Sequence, residues 1–406
     1  MTKQYTYKFR IYPNREQAAF LGGQLGSGRF VYNFFLERAV NLYRIHDIRF
    51  NYHESATRIP LLKKGFPFLK EANAQSLQAS LKNLDAAFRN FFQGRSKFPA
   101  FKKRLSVNSI AIPQHFSITD GTLLIPKLKF GIKVKFHRRV SEAVKSVTIT
   151  RTSAGKYYVN MLVEKTFAPL PATNRVSGID VGIKSFAAIT SGTSAADAVT
   201  VKVKNPKYLL KSQAQLKKLN RQFAKKTKGS KNKAKFRKER LAPLHEKVGN
   251  QRKDFQHKAS SRVVNDSQVI VLEDLNIRGM VKNRHLSKSI NDAAWGMFAG
   301  RLVYKADWYG RELLKADRWY PSSKTCPICG YIKRDLKLSD RKWTCPDCVT
   351  EHDRDEAASD NLFLEGLRIR QELPELTPAE YAPAGSQNTG SSRHTSKQEA
   401  RLFIDG

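Results

Sequence analysis

Hydrophobic and polar residues alternate over residues 5–11, which predicts a β-strand near the start of the chain. Asn14 and Gln17 then have the spacing of a capping box, and a helical pattern follows from residue 18 to about residue 42. Four glycines interrupt that pattern, so we expect the helix to be bent or split. A second helix is predicted at residues 76–92. Its apolar stripe is expected to pack in a core and consists of Leu77, Leu81, Leu84, Phe88 and Phe91.

Short runs rich in β-branched and aromatic residues replace the helical pattern between about residues 107 and 167. The predicted strands are residues 109–112, 123–125, 132–136, 147–151 and 157–163. We interpret this region as an antiparallel β module, in the form of a small barrel. If the first strand joins it, the helical residues 12–104 are an insertion into the module.

The rest of the chain mixes buried strands with helices. Residues 176–184 begin a buried strand with a neighbour at 186–190, and residues 268–272 predict an apolar strand of the parallel type. A long helix is predicted around Trp295, Phe298, Leu302 and Tyr309, and a final helix at about residues 354–370. Residues 373–406 are poor in apolar groups, so we predict a disordered tail.

The composition adds a strong charge signal. Of 406 residues, 73 are Lys or Arg and 35 are Asp or Glu, which gives a net charge of +38. Because 40% of the residues are hydrophobic, a folded core is expected, and the charge indicates a polyanionic partner such as nucleic acid. No apolar stretch approaches the roughly 18 residues of a transmembrane helix, so no membrane partner is expected. The four cysteines all come late in the chain, which favours a reducing compartment such as the cytoplasm.

Much of the charge is concentrated in residues 205–258, which are predicted to be helical. This segment has 18 basic residues against three acidic ones. A solvated charged face is the usual role of such a run, but this excess favours contact with a nucleic-acid backbone. The candidate binding residues are Lys217, Lys218, Arg221, Lys225, Lys226, Lys228, Lys231, Lys233, Lys235, Arg237 and Lys238.

The cysteines form two Cys-x-x-Cys pairs, Cys326 with Cys329 and Cys345 with Cys348. Two such pairs separated by about fifteen residues fit tetrahedral coordination of Zn²⁺ by four thiolates. A redox pair of the thioredoxin type would explain one pair but not both. We therefore predict a structural zinc site, because a closed four-cysteine site leaves no position open for a substrate.

Acidic residues stand at the ends of the apolar strands. Asp180 lies between Ile179 and Val181, and Glu273 ends a second apolar run. Asp353 and Asp355 come at the start of the final helix. A single buried Asp is more often paired or capping, but three acidic positions in so basic a chain favour Mg²⁺, whose natural ligands are carboxylates. Two such ions roughly 3.5–4 Å apart stabilise both the attacking and the leaving oxygen of a phosphodiester.

The chain resembles the TnpB family, the RNA-guided nucleases of bacterial insertion sequences that are also called OrfB-type transposases. The resemblance extends from residue 12 to about residue 361. The matching stretches are Tyr12-Pro-Asn, Arg29-Phe-Val-Tyr-Asn, Ser80-Leu-Lys-Asn-Leu, Gly178-Ile-Asp-Val-Gly-Ile-Lys, Asn205-Pro-Lys-Tyr, Leu272-Glu-Asp-Leu, Trp295-Gly, Tyr309-Gly-Arg, Pro321-Ser-Ser-Lys-Thr-Cys-Pro-Ile-Cys-Gly and His352-Asp-Arg-Asp.

This resemblance implies an α+β multidomain protein. The expected domains are a wedge β-barrel (residues 1–11 and 105–172), a helical recognition domain (12–104), a RuvC-like, RNase H-like α/β nuclease domain (173–325 and 350–372) and a zinc ribbon (326–349) that binds target nucleic acid. It also implies a monomer in complex with a guide RNA from the element's end, acting on double-stranded DNA in the bacterial nucleoid.

The resemblance maps the family's catalytic acids, which bind Mg²⁺, onto Asp180, Glu273 and Asp355. Helix-capping rules make the same choice between the two aspartates: if Asp353 is the N-cap, its carboxylate binds backbone N–H groups and Asp355 is free to project. Two departures from the family pattern are Ala357, where Asn is usual, and Val349, where Gly is common.

These features predict a metal-dependent, RNA-guided DNA endonuclease that cleaves next to a short target-adjacent motif. The alternative is an RNA-guided DNA binder that no longer cuts and acts as a repressor or an accessory protein of transposition. The three acids favour the first, and Ala357 is the one hint of the second. A transposase that joins DNA directly is a weaker possibility, because no Tyr or Ser recombinase motif stands out.

Overall fold

A computed structural model describes residues 1–104, 108–119, 121–337 and 339–372. The predicted disordered tail, residues 373–406, lies outside the described residues. The described chain divides into two compact units, an N-terminal unit (Thr2–Lys165 with Lys228–Ala242) and a C-terminal unit (Met1, Thr166–Thr227 and the described part of Pro243–Ser386). The predicted division into wedge, recognition, nuclease and ribbon domains is finer than this and stays a prediction.

The N-terminal unit contains a seven-stranded sheet and a group of helices. Its strands are β1 (Thr2–Tyr12), β2 (Asn108–Ile112), β3 (Ser117–Thr119), β4 (Thr122–Leu124), β5 (Ile132–Lys135), β6 (Val144–Arg151) and β7 (Tyr157–Thr166), in the order β2-β6-β7-β1-β5-β4-β3. β1 pairs with β5, which confirms that the first strand joins the β module. The sheet is curled into a half-barrel. It is open because its end strands, β2 and β3, do not pair with each other, so the described strands do not form the expected closed barrel.

The helices of this unit are α1 (Arg15–His46), α2 (Tyr52–Thr57), α3 (Ile59–Gly65), a 3₁₀ turn (Pro67–Lys70), α4 (Ala74–Phe92) and α7 (Lys231–Phe236), which a π-helical turn (Arg237–Leu241) follows. The capping box of α1 is confirmed, since Asn14 and Gln17 each accept a hydrogen bond from the other's backbone N–H. The expected split of α1 is wrong: the helix is continuous through its glycines because Leu21, Leu25 and Phe35 bury their side chains along its length. Four residues of the predicted stripe of α4 pack in the helical core, whereas Phe91 is only partly buried and is not part of it; the four are Leu77, Leu81, Leu84 and Phe88.

The C-terminal unit is built on a five-stranded mixed sheet. Its strands are β8 (Val176–Val181), β9 (Ser185–Gly192), β10 (Val199–Lys204), β11 (Val269–Glu273) and β12 (Glu312–Ala316), in the order β10-β9-β8-β11-β12. β9 is antiparallel to β8 and β10, whereas β11 is parallel to β8 and β12. A two-stranded hairpin, β13 (Lys342–Thr344) and β14 (Glu351–Asp353), lies in the cysteine region.

Helices cover both faces of the five-stranded sheet. The helices of this unit are α5 (Tyr208–Lys211), α6 (Gln213–Ala224), α8 (Ala242–Asp266), α9 (Ile277–Met280), α10 (Ser287–Ala293), α11 (Trp295–Tyr309) and α12 (Arg354–Glu372). Alternate residues of β11 enter two cores: Ile270 and Leu272 lie with residues of α8 and α11, whereas Val269 and Val271 lie with residues of α12. This alternation follows from the two-residue period of a strand, and it explains why the predicted run was continuously apolar.

Candidate active site and cysteine cluster

The register between β8 and β11 places two predicted acids side by side. The two strands are parallel, and Ile179 lies opposite Leu272. Asp180 and Glu273 are the next residues along each strand, so both stand at the carboxyl ends of neighbouring parallel strands. Ligand sites in sheets of this kind form at that edge.

Close packing of α12 on the same strands positions the third acid. Gly178 lies so near the helix backbone that a Cβ there would be 2.2 Å from Phe363 N, and a Cβ at Gly366 would be 2.6 Å from Val176 Cγ1. These contacts place the later turns of α12 over the start of β8, so the helix runs antiparallel to the strand and begins at the strand's carboxyl end. There, the position of a Cβ on Gly182 is 3.9 Å from Asp355 Oδ2.

The start of α12 separates its two aspartates as the capping rules predict. Asp353 Oδ1 accepts hydrogen bonds from the backbone N–H of Asp355 at 3.0 Å and of Glu356 at 3.3 Å. Lys202 forms ion pairs with both Asp353 Oδ2 and Glu356 Oε1, at 2.8 and 3.0 Å. Asp355 is therefore in the first turn, free of the cap, with one ion pair to Arg341 at 3.6 Å.

The three carboxylates repel one another electrostatically. Burial raises the pKa of Asp180 to about 8, and the negative charges of Glu273 and Asp355 act in the same direction. Arg354 and the Val181 N–H oppose this shift without overcoming it. A cation bound at this edge would favour the ionised form of Asp180 and offset this repulsion, in a chain whose net charge is otherwise +38.

Two polar residues that the sequence reasoning missed hold Glu273 in place. The hydroxyl of Ser322 donates a hydrogen bond to Glu273 Oε1. Asn361 Nδ2 in turn donates to the backbone carbonyls of Ser322 and Thr325, each at 2.7 Å. Asn361 is 3% exposed, and the available sequence signal was an amide directly before the apolar run Leu362-Phe363-Leu364 of α12. Ala357, at the usual Asn position one turn earlier, is buried.

The four cysteines converge as predicted. Their sulfur atoms lie within 4.8 Å of one another, and they form no disulfide. Two of the separations, Cys326 to Cys348 and Cys329 to Cys345, are 3.5 Å. Tetrahedral thiolates with Zn–S bonds of 2.3 Å would stand roughly 3.8 Å apart, so the donor set fits zinc.

The three acids are less tightly gathered than the cysteines. Among the described residues, the carboxylate oxygens of Asp180, Glu273 and Asp355 do not all lie within 4.8 Å of one another.

Two further residues shape this cysteine cluster. His352 Nε2 lies 3.2 Å from Cys326 Sγ, and its ring lies against Trp343. Val349 follows the second cysteine pair with a φ of 56°, where Gly330 follows the first pair with a φ of 78°. Both knuckles therefore require the left-handed conformation, and a β-branched residue occupies one of them at a conformational cost.

The basic candidates lie on α6, on α7 and on the turns next to them. Eight of the eleven are exposed, and Lys226, Lys233 and Arg237 are partly buried. The segment is divided between the units, since Lys228–Ala242 belongs to the N-terminal unit and the flanking residues to the C-terminal unit. Nucleic-acid contact by these residues stays a prediction.

None of the described helices is long and apolar enough to span a membrane.

Three family models match the chain. The OrfB_IS605 family, described as "Probable transposase", matches residues 157–284, and a "Cas12f1-like, TNB domain" matches residues 295–362. The first match contains Asp180 and Glu273, and the second contains the four cysteines and Asp355. A "Helix-turn-helix domain" matches residues 1–45, although that region here is one strand followed by one continuous helix.

Relatives match over most of their length. A protein of Streptomyces pristinaespiralis named "Putative RNA-guided DNA endonuclease" is 38% identical over 89% of this chain and 89% of its own. A protein of Escherichia coli K12 with the same description is 29% identical over 85% of this chain and 88% of its own.

Among solved structures, one titled "Cryo-EM structure of the Cas12f1-sgRNA-target DNA complex" has a TM-score of 0.56 at 15% identity. The match covers 86% of this chain and 83% of that one, and it shows a shared fold. The family matches agree with the motifs in the sequence, and so do the identity to relatives over most of their length and this shared fold. The chain belongs to the TnpB family of OrfB-type proteins.

Proposed function

We propose that this protein is an RNA-guided, metal-dependent DNA endonuclease that cleaves double-stranded DNA next to a short target-adjacent motif. The observation that carries the proposal is the convergence of β8, β11 and the start of α12, which brings Asp180, Glu273 and Asp355 to one edge of the sheet. The names of the relatives as RNA-guided DNA endonucleases support the same activity.

The five-stranded sheet, in which β9 is antiparallel to β8 and β10 while β8, β11 and β12 are parallel, supports a RuvC-like, RNase H-like nuclease domain. In this proposal the half-barrel is the wedge, the helices of residues 12–104 are the recognition domain and residues 326–349 are the zinc ribbon. The exposed basic residues of 217–238 contact the RNA or heteroduplex backbone, reading shape and not sequence.

Asp180, Glu273 and Asp355 would hold Mg²⁺. Bound there, the metal would neutralise negative charge on the phosphodiester and lower the pKa of a bound water. The chain's own contribution is to fix these carboxylates: Ser322 orients Glu273, and the α12 cap keeps Asp353 out of the site. The positive end of α12 faces the same edge and favours anions near it.

The four cysteines would hold one structural Zn²⁺. The cluster lies directly before β14 and α12, so ordering it fixes the entry of the chain into the helix that carries Asp355. Its contribution is to folding of this segment and not to the chemical step, because four thiolates leave no open coordination position.

The test is cleavage of a plasmid carrying a matched target, with Mg²⁺ and the guide RNA that copurifies with the protein. We expect Asp180→Ala, Glu273→Ala and Asp355→Ala each to abolish cleavage while guide and target binding in gel shifts stay nearly unchanged. If the parent protein binds guide and target but does not cut under any divalent metal, the non-cutting binder becomes the better description.

A further inference from the structure

A second charged site lies in the N-terminal unit. Three arginines that are far apart in sequence, Arg29, Arg104 and Arg151, line one cavity of about 300 Å³. Its other lining residues are Asn108 and the small or apolar Ala19, Gly22 and Leu25. This volume is at the lower end of the roughly 300–1,000 Å³ typical of small-molecule sites, which suits a single anionic group.

The fold builds this site from three elements. Asn108 begins β2 directly opposite Arg151 at the end of β6, and its side-chain amide donates to the Arg104 carbonyl at 3.2 Å. α1 packs tightly at Gly28, where a Cβ would lie 3.0 Å from Ser80 Oγ and 3.9 Å from Ile110 Cδ1. The residue after this contact is Arg29, which lines the cavity together with Asn108 at the start of β2.

The glycine on the cavity wall has no packing reason to be a glycine. A Cβ on Gly22 would meet nothing within 4 Å, and the residue lies within α1, where Gly costs roughly 1 kcal/mol relative to Ala. The lack of a side chain at Gly22 leaves the helix backbone accessible from the cavity.

The arginines meet without neutralising partners. Among the described residues, none of the three forms an ion pair or hydrogen bond through its guanidinium, whereas Arg58 and Arg89 on neighbouring helices each pair with an acid. Burial and then the charges of Arg104 and Arg151 lower the pKa of Arg29, which reflects the repulsion among the three. Arg104 is exposed and Arg29 and Arg151 are partly buried, so water screens part of this repulsion, and an anion held among the three guanidinium groups would offset the rest.

We propose that this cavity binds one backbone phosphate of a nucleic-acid strand through the guanidinium groups of Arg29, Arg104 and Arg151. The site rests on the proposed function and deepens it, since it assigns to the N-terminal unit a fixed point of contact with the bound strand. Arginine presents several N–H groups in a planar fork that matches phosphate oxygens. None of the described residues that line the cavity is aromatic, so a base has no ring to stack on there and the contact recognises backbone and not sequence.

The experiment measures binding of the full-length protein to two probes, a single-stranded RNA and a DNA duplex, across a salt series. The variants are Arg29→Met, which keeps the aliphatic stem, Arg104→Gln, Arg151→Gln and the triple combination. We expect the triple variant to bind one probe roughly ten- to a hundredfold more weakly. The slope of log affinity against log salt should fall by about 0.9 for a duplex contact or about 0.7 for a single strand.

Arg89→Gln is the matched control, because it removes one arginine from the same unit whose charge Asp85 already balances at 3.0 Å. The control should leave both slopes unchanged. The probe whose slope falls identifies the strand that occupies the cavity. Melting of the free protein separates an effect on binding from an effect on folding. Because Arg104→Gln removes one of three mutually repelling charges, its melting temperature should be equal to or higher than that of the parent.

Unchanged slopes for both probes in the triple variant would overturn the phosphate site while leaving guided plasmid cleavage, and with it the proposed function, intact. A free Arg104→Gln protein that melts at a clearly lower temperature would instead assign the cluster a structural role and also overturn the inference. A parent protein that binds neither probe would remove the proposed function together with this site.

Discussion

Replacing Asp353 should cost stability, whereas replacing Asp355 should cost activity, although only one residue separates them. Asp353→Ala removes an N-cap that accepts two backbone hydrogen bonds, which is worth about 1 kcal/mol. It also removes the ion pair to Lys202. Because the side chains of Lys202 and Asp353 are 35% and 24% exposed, solvent screens this pair and at most about another 1 kcal/mol is lost. The sum is roughly 1–2 kcal/mol.

For a unit of this size, each kcal/mol corresponds to a fall of about 2–4 °C in the melting temperature. We therefore expect Asp353→Ala to melt roughly 2–8 °C lower and to retain guided cleavage below that temperature. Asp353→Asn is the control, because Asn caps a helix about as well as Asp, and most of the loss should be recovered.

Asp355→Asn breaks no cap, and relief of its repulsion with Asp180 outweighs loss of the long 3.6 Å ion pair to Arg341, so its melting temperature should equal or exceed that of the parent. Its guided cleavage should be abolished, with binding of guide and target retained. The measurements are a thermal melt and a plasmid-cleavage time course on the same preparations. An Asp353→Ala protein that melts like the parent but does not cut, together with an active Asp355→Asn protein, would refute the assignment of the two roles.

Four further predictions follow from single contacts. Ser322→Ala should slow guided cleavage and raise the Mg²⁺ concentration needed for half-maximal rate, with melting nearly unchanged, because Glu273 loses the donor that orients it; an unaltered Mg²⁺ dependence would count against this role. Cys345→Ser should yield protein without bound zinc by elemental analysis and with an unstable C-terminal unit, since structural zinc supplies roughly 10–16 kcal/mol of binding free energy. Val349→Gly should slow zinc loss to a chelator by relieving about 1–2 kcal/mol of left-handed strain, and faster loss would contradict the conformational argument. Burial lowers the pKa of Lys305 in α11 from 10.5 to about 8. Between these two pH values the unfolded chain binds more protons than the folded protein, so the free energy of unfolding should rise with pH. Chemical unfolding of Lys305→Met over a pH series should not show this rise.

Local patterns were sufficient for most elements. The alternation of residues 5–11, the Asn14–Gln17 capping box and the stripe of α4 each predicted an element that the structure contains, because every one of these signals lies within a few neighbouring residues. The cysteine spacing likewise predicted the thiol cluster, since two tight turns about fifteen residues apart can bring the sulfurs together in few ways.

The same local reasoning failed where packing decided the outcome. Glycines in α1 predicted a break, but burial of apolar side chains along the helix outweighs the propensity cost of each glycine. The open half-barrel differs from the expected closed barrel because closure depends on strand tilt and stagger across the whole sheet, which no single run of residues specifies.

The sequence by itself identified the acids at strand ends, separated Asp353 from Asp355 and, through its motifs, identified the family. Only the tertiary structure could show that β8 and β11 are adjacent in a register that aligns Asp180 with Glu273, since 93 residues separate these two acids in the chain. It alone revealed Ser322 and Asn361 behind Glu273 and the meeting of Arg29, Arg104 and Arg151. The physical reason is that spacing along a helix or strand fixes which side chains share a face, whereas contacts between distant segments depend on how entire faces pack.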